Sequence, residues 1–187
     1  ERDGEIMFGL NLVVHKGKTI FVGDTSVHEY PTSEQLAEIA ISAARVVRLF
    51  GFDPKVAFVS HSTFGQPLTN RTKHIKKAVE ILKDKDVNFE FDGDMQPDVA
   101  LNEEYKNLYP FSKIVGNANI LIMPGQHSAA ISYKMMKSLG DSKVIGPLLI
   151  GLGLPIEIAP LRSSTSEIIN LASIAAYSSD VIDYKKN

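Results

Sequence analysis

The 187 residues contain neither cysteine nor tryptophan. Without cysteine, a disulfide scaffold, a thiolate zinc site and a cysteine nucleophile are all excluded. Charge of one sign is equally scarce: 20 Lys and Arg stand against 22 Asp and Glu, a net charge of −2. A nucleic-acid surface would need a basic stripe, so no nucleic-acid partner is expected. The most basic stretch, Arg71, Lys73, Lys76 and Lys77, is spaced as the wet side of a helix, with a phosphate patch as the alternative. Long apolar runs are missing too. Val144 to Leu161 is interrupted by Gly146, Pro147, Gly151, Gly153, Pro155 and Pro160 and contains Glu157, so it reads as strands joined by turns and not as a membrane span. No signal peptide is legible, because Glu1, Arg2, Asp3 and Glu5 crowd the start. Together these absences predict a cytoplasmic chain without a membrane partner. The chain opens without Met, within an apparent strand, which suggests a piece of something longer.

Apolar residues make up 44% of the sequence, enough for a sizeable core. One domain (1–187), or one subdomain plus part of another, is expected. Met7–Val14 and Thr19–Val22 flank His15-Lys16-Gly17-Lys18 as a β-hairpin. Thr32 and Gln35 have capping-box spacing ahead of an apolar stripe from Leu36 to Phe50, and Gly51 stops that helix. Strands are then predicted at Lys55–Ser60, Val87–Phe91, Asn119–Met123, Lys143–Ile150 and Pro155–Ile158. Helices are predicted at Thr72–Leu82, Asp98–Leu108, Ser128–Leu139 and Ser164–Tyr177, the last with Ser164 and Glu167 at capping-box spacing. This alternation defines an α/β fold with a mostly parallel sheet and helices on both faces.

Ligands of such sheets bind beyond the carboxyl ends of the strands. Three strand-to-helix turns carry suitable chemistry. In Ser60-His61-Ser62-Thr63-Phe64-Gly65, hydroxyls and backbone N–H groups can cradle an anion or can satisfy the loop itself. In Met123-Pro124-Gly125-Gln126-His127-Ser128, Ser128 reads as a helix cap. In Ala159-Pro160-Leu161-Arg162-Ser163-Ser164-Thr165, the guanidinium of Arg162 can pair with a phosphate, while the hydroxyls read as caps. Asp92-Gly93-Asp94 reads as a turn with glycine in a left-handed position. His15, His28, His61, His74 and His127 form no metal-ligand spacing, so no metal is expected. Gly151-Leu152-Gly153 lacks the third glycine and the helix of a dinucleotide site.

Several of these segments, in order, resemble the phosphate acetyl/butyryltransferase family. They are the passage from Phe21 to Val27 ahead of the helix at 32–40, the strand and loop from Lys55 to Ser62, the Asp-Gly segment from Phe91 to Leu101, Ala118 to Pro124, and Ile145 to Leu152. The resemblance covers about residues 6–177 and implies a phosphotransacetylase-like fold of isocitrate/isopropylmalate dehydrogenase type, with the N-terminal part missing. Ser62-Thr63-Phe64-Gly65 is closest to the phosphotransacetylase-like domain of hybrid NADP-dependent malic enzymes. The resemblance implies an acyl-CoA ligand, acetyl-CoA or CoA, and a homodimer or higher homo-oligomer. NADP and a divalent metal would belong to the malic-enzyme portion. It implies ligand or phosphate contacts at Ser60, Ser62, Thr63, Gly65, Pro124 and Arg162, with Arg162 and Ser164 catalytic if the domain is active.

Family transferases commonly have a lysine where Phe64 stands and a Ser-Arg-Gly motif where Pro160, Leu161 and Arg162 align. Losing one preorganised donor to a developing oxyanion costs about 10²–10³ in rate. Loss of both a hydroxyl and a cation therefore predicts an acyl-CoA-binding regulatory and oligomerisation domain without transferase chemistry. An active phosphate acetyltransferase is the alternative.

Overall fold

A computed structural model describes residues 5–65 and 68–181. Its sheet has six strands in the order β4-β3-β5-β2-β1-β6. β1 (Phe8–His15) and β2 (Lys18–Gly23) form the expected hairpin, pairing antiparallel from Leu10–Gly23 to His15–Lys18. β3 (Lys55–Val59), β4 (Glu90–Met95) and β5 (Ile120–Ile122) run parallel to β2. β6 (Lys143–Ile150) lies antiparallel to β1 and so shares the common direction. Only β1 opposes it, which gives the mostly parallel sheet expected.

Helices cover both faces. α1 (Ser33–Leu49), α2 (Asn70–Lys83) and α6 (Thr165–Val181) pack on one, around Phe8, Leu10, Phe21, Phe58 and Ile120. α3 (Pro97–Leu101) and α5 (Gln126–Leu139) lie on the other, over Val13, Val22, Ala57 and Leu121. α1 forms as its sequence dictates: Thr32 Oγ1 accepts the Gln35 N–H at 3.1 Å and Gln35 Oε1 accepts the Thr32 N–H at 2.7 Å. That capping box satisfies orphan donors of the first turn. Its stripe of Leu36, Ile39, Ala43 and Val47 is fully buried, each large member contributing about 1.5–3 kcal/mol by leaving water. No helix among the described residues is long and apolar enough to cross a membrane.

Four expectations change. β4 begins three residues later than Val87, and Asp92-Gly93-Asp94 is part of it and not a turn. The strand passes so close to β3 that a Cβ on Gly93 would lie 2.7 Å from Phe58 Cβ, which is why a glycine stands mid-strand. Asp92 Oδ2 accepts the Lys113 N–H at 2.8 Å, so a neighbouring loop satisfies the polar group that made the segment look turn-like. The helix expected at Asp98–Leu108 divides into α3 and the short α4 (Glu103–Lys106), because Asn102 is extended and its side chain accepts the Glu104 N–H. Ser128 is not the cap of α5. The N-cap is Gly125, and Ser128 Oγ donates to Gly125 O at 2.9 Å. Finally, Pro155–Ile158 is reduced to one bridge between Leu148 and Glu157.

That bridge places Glu157 over a small cavity between α1, β6 and α6, lined also by Arg45 and Glu5, which are ion-paired at 2.8 Å. Burial pushes the Glu157 carboxyl up to about 7, opposed by a hydrogen bond from the Leu149 backbone, and Oε2 has no partner. The folded state therefore holds a proton that the unfolded chain releases near 4.5. Stability should fall as pH rises from about 4.5 through about 7, by about 1–3 kcal/mol once partial exposure is allowed for. Urea unfolding at pH 5 and pH 8 should show this loss in the wild type. Glu157→Gln should flatten it, and an equal slope in both proteins would contradict the assignment.

Candidate ligand cleft

The carboxyl ends of β2, β3 and β5 open into a cleft of about 1190 Å³. Its walls are built from three loops, each immobilised by its own hydrogen bonds. After β2, Asp24 is fully buried and gathers the loop around its carboxylate. Oδ1 accepts the N–H groups of Gly9 and Ser26 at 2.8 Å and of Val27 at 3.1 Å, and Oδ2 accepts the His28 N–H at 2.7 Å. His28 Nδ1 lies 2.8 Å from the same Oδ2. This knot presents Tyr30 and Pro31 to the cleft.

After β3, the loop from Ser60 is laced to the end of β4. The Ser60 N–H donates to Met95 O at 2.9 Å, the Phe64 N–H to Asp94 O at 2.6 Å, and the Gln96 N–H to Thr63 Oγ1 at 3.2 Å. After β5, Met123 and Pro124 turn into α5 at Gly125, where a Cβ would lie 2.4 Å from Glu29 O. The close approach of two loops thus demands the glycine.

The starts of α1, α2 and α5 all face this space. α2 begins at a second capping box, in which Thr69 Oγ1 accepts the Thr72 N–H at 3.2 Å. His74 ties α2 to α1, with Nε2 donating to Pro31 O at 2.7 Å and Nδ1 lying 2.9 Å from Ser33 Oγ. Arg71, Lys73 and Lys77 line the α2 wall. Met123, Pro124 and Ile131 line it as well, as do Glu29 and Glu34. Glu34 pairs with Lys77 at 3.1 Å, so Arg71 and Lys73 are the cleft's cations outside that pair. Together with the partial positive charge of the helix starts, a lining that mixes cations and apolar side chains suits an anion joined to an apolar chain.

The structure separates the residues singled out in the sequence. Ser60 and Pro124 line the cleft. Ser62 and Thr63 are buried behind it, and Gly65, with φ +82°, closes the turn without reaching it. Phe64 turns away: its ring packs on Phe111 and Tyr109, with centroids 4.8 and 5.5 Å distant. Arg162 is exposed and lines no part of the cleft. Ser164 caps α6, its N–H donating to Glu167 Oε2 at 2.8 Å while its Oγ accepts the Glu167 N–H at 3.3 Å. Lys137 bonds that same Glu167 carboxyl from α5 at 2.8 Å and is the main cause holding it down to about 2.

Sequence reading missed Asp24, His74 and Asp94, and it favoured a solvated face for Arg71 to Lys77 over the alternative of a phosphate patch. Of that stretch only Lys76 is off the cleft wall among the basic residues. Helical spacing puts Arg71, His74 and Lys77 on one side, a signal that was available but that cannot say what the side faces. Among the described residues no group of His, Asp and Glu is placed to hold a metal ion.

The chain matches the phosphate acetyl/butaryl transferase family over residues 1–176, and it belongs to that family. It is 46% identical to an NADP-dependent malic enzyme of Rhizobium meliloti over 176 residues, 94% of this chain and 23% of that protein. It is 36% identical to a phosphate acetyltransferase of Clostridium acetobutylicum over 157 residues, 83% of this chain and 47% of that one. Among solved structures, a phosphotransacetylase from Streptococcus pyogenes superposes with a TM-score of 0.89 at 31% identity, over 95% of this chain and 55% of that chain. The chain thus spans about a quarter of the malic enzyme it matches and about half of the transferases.

Proposed function

We propose that this chain is the acyl-CoA-binding regulatory and oligomerisation domain of an NADP-dependent, decarboxylating malic enzyme, and that it no longer transfers acyl groups. The observation that carries the reading is the mixed lining of the cleft, which holds Arg71 and Lys73 together with Met123, Pro124 and Ile131. CoA pairs phosphates with an apolar-tolerant pantetheine and acyl chain, and this cleft offers a surface for each. Loss of transfer is supported by Phe64, Pro160 and Leu161 standing where transferases resembling this chain have a lysine, a serine and an arginine. Arg162 does not replace them, since it lines no part of the cleft. The identity to malic enzymes favours this reading; the identity to phosphate acetyltransferases keeps an active transferase as the second reading.

In the parent polypeptide, NADP, the divalent metal and malate would be bound by the remainder of the protein. Acyl-CoA held here would change decarboxylation through a coupling free energy between the two sites. Oligomerisation is supported by Met135 and Leu139, which stand exposed one turn apart on α5 outside the cleft and form an apolar patch suited to a second copy. A cytoplasmic location is part of the same proposal.

Calorimetric titration of the chain with acetyl-CoA should show binding. Arg71→Ala with Lys73→Ala should weaken it about tenfold or more and lower its salt dependence, because exposed charge–phosphate contacts are screened. Absence of binding by the wild type at millimolar ligand would sink the proposal.

A further inference from the structure

Behind the cleft, a buried hydroxyl and a buried carboxyl back the Ser60 hydroxyl. Ser60 lines the cleft. Its Oγ accepts the Ser62 N–H at 3.3 Å and lies 3.5 Å from Ser62 Oγ. Ser62 is fully buried, and its hydroxyl donates to Asp94 Oδ2. Asp94 itself is 1% exposed.

A serine hydroxyl has one hydrogen. That of Ser62 is committed to Asp94, so Ser62 cannot donate to Ser60. Ser60 has a lone pair occupied by the Ser62 amide, and its own hydrogen finds Ser62 Oγ only at 3.5 Å, beyond the usual O–H···O range of about 2.5–3.0 Å. That hydrogen is left for the cleft. Asp94 also holds the loop's backbone, since its carbonyl oxygen accepts the Phe64 N–H at 2.6 Å. Burying a carboxyl to hold one hydroxyl is a poor way to stabilise a fold, where an apolar side chain of similar volume serves as well or better. The arrangement makes sense if the direction of the Ser60 hydroxyl matters.

We propose that Asp94, by pinning Ser62 so that its backbone N–H occupies a lone pair of Ser60 Oγ, is a positioning residue that fixes Ser60 as a hydrogen-bond donor to an anionic oxygen of the ligand. The proposal rests on the cleft being an acyl-CoA site, and it adds the group that meets a phosphate or thioester oxygen there. Asp94 touches no ligand. Its effect exists only through Ser60.

A double-mutant cycle tests this, with acetyl-CoA as the probe and affinity read by calorimetry on the whole chain. Ser60→Ala should weaken binding about tenfold. Asp94→Asn, which keeps the shape, should weaken it about fivefold with the melting temperature held within a few degrees. Ser60→Ala combined with Asp94→Asn should be no weaker than Ser60→Ala alone, because both act on one contact. A residue with only a structural role would give effects that multiply. Multiplying effects, or unchanged affinity in Asp94→Asn, would overturn the proposal while leaving the acyl-CoA reading intact. Should Asp94→Asn fail to fold, Ser62→Ala decides: a loss matching Ser60→Ala supports the relay, and no loss overturns it. Failure of the wild type to bind would refute the functional reading and this proposal with it.

Discussion

Asp24→Ala is expected to destabilise the chain by about 3–5 kcal/mol, the largest effect of any single substitution away from the apolar core. The carboxylate accepts backbone N–H groups from Gly9, Ser26, Val27 and His28, and His28 Nδ1 lies on the same oxygen as the last of these. Alanine would leave all of these donors without an acceptor, and the Gly9 donor is buried where water cannot replace it. Each buried unsatisfied donor costs about 1–3 kcal/mol, while the part-buried ones recover some of that from solvent. Asp24→Asn keeps one acceptor oxygen and should cost about 2 kcal/mol. Urea denaturation of the three proteins checks the order. The loop from Asp24 to Pro31 also forms a cleft wall, so Asp24→Ala should weaken ligand binding in the fraction that remains folded. A loss below about 1 kcal/mol would mean that the loop is held by something else.

Asp24 also marks the limit of what the sequence discloses. α1 was legible to its ends because its signals are local: the Thr32–Gln35 box, the stripe from Leu36 to Val47 and the stop at Gly51 lie within one continuous stretch. The hairpin was legible for the same reason, with polar residues between two apolar runs. β4 was not, because its polar Asp92-Gly93-Asp94 looks like a turn until β3 and the loop at Lys113 are beside it. The glycine is there for Phe58, and Phe58 is 35 positions away. The bridge at Glu157 was over-read as a strand, since an apolar run with a proline can pair once and then leave the sheet.

For the cleft, the carboxyl-end rule found the loop at Ser60 and the turn at Pro124. It could not find Asp94, whose carboxylate accepts from Ser62, 32 positions away, or the reach of Asp24 to the Gly9 N–H, 15 positions away. Arg71, Lys73 and Lys77 read as a solvated face because periodicity identifies a polar side without its neighbour. The Phe64 substitution was visible as a departure from the family pattern. Its physical meaning came from the rings of Tyr109 and Phe111, which take the side chain away from the ligand wall.

The second large expected effect is chemical. A transferase of this family must stabilise a developing oxyanion and an anionic phosphate, and each lost donor costs about 10²–10³ in rate. With Pro160 and Leu161 in the turn and Arg162 lining no part of the cleft, turnover should fall by at least about 10³-fold, to the background of the uncatalysed reaction. Binding should survive, because the contacts proposed for it are spread over Arg71 and Lys73, the apolar residues of the cleft and Ser60. Arg162→Ala should accordingly leave both binding and background turnover unchanged.

The central claim is an acyl-CoA site without transfer, and equilibrium dialysis of labelled acetyl-CoA against the chain in phosphate buffer tests it most directly. The account predicts that label concentrates with the protein and is recovered as intact acetyl-CoA. Label that fails to concentrate, or that is recovered as acetyl phosphate with free CoA, would contradict it.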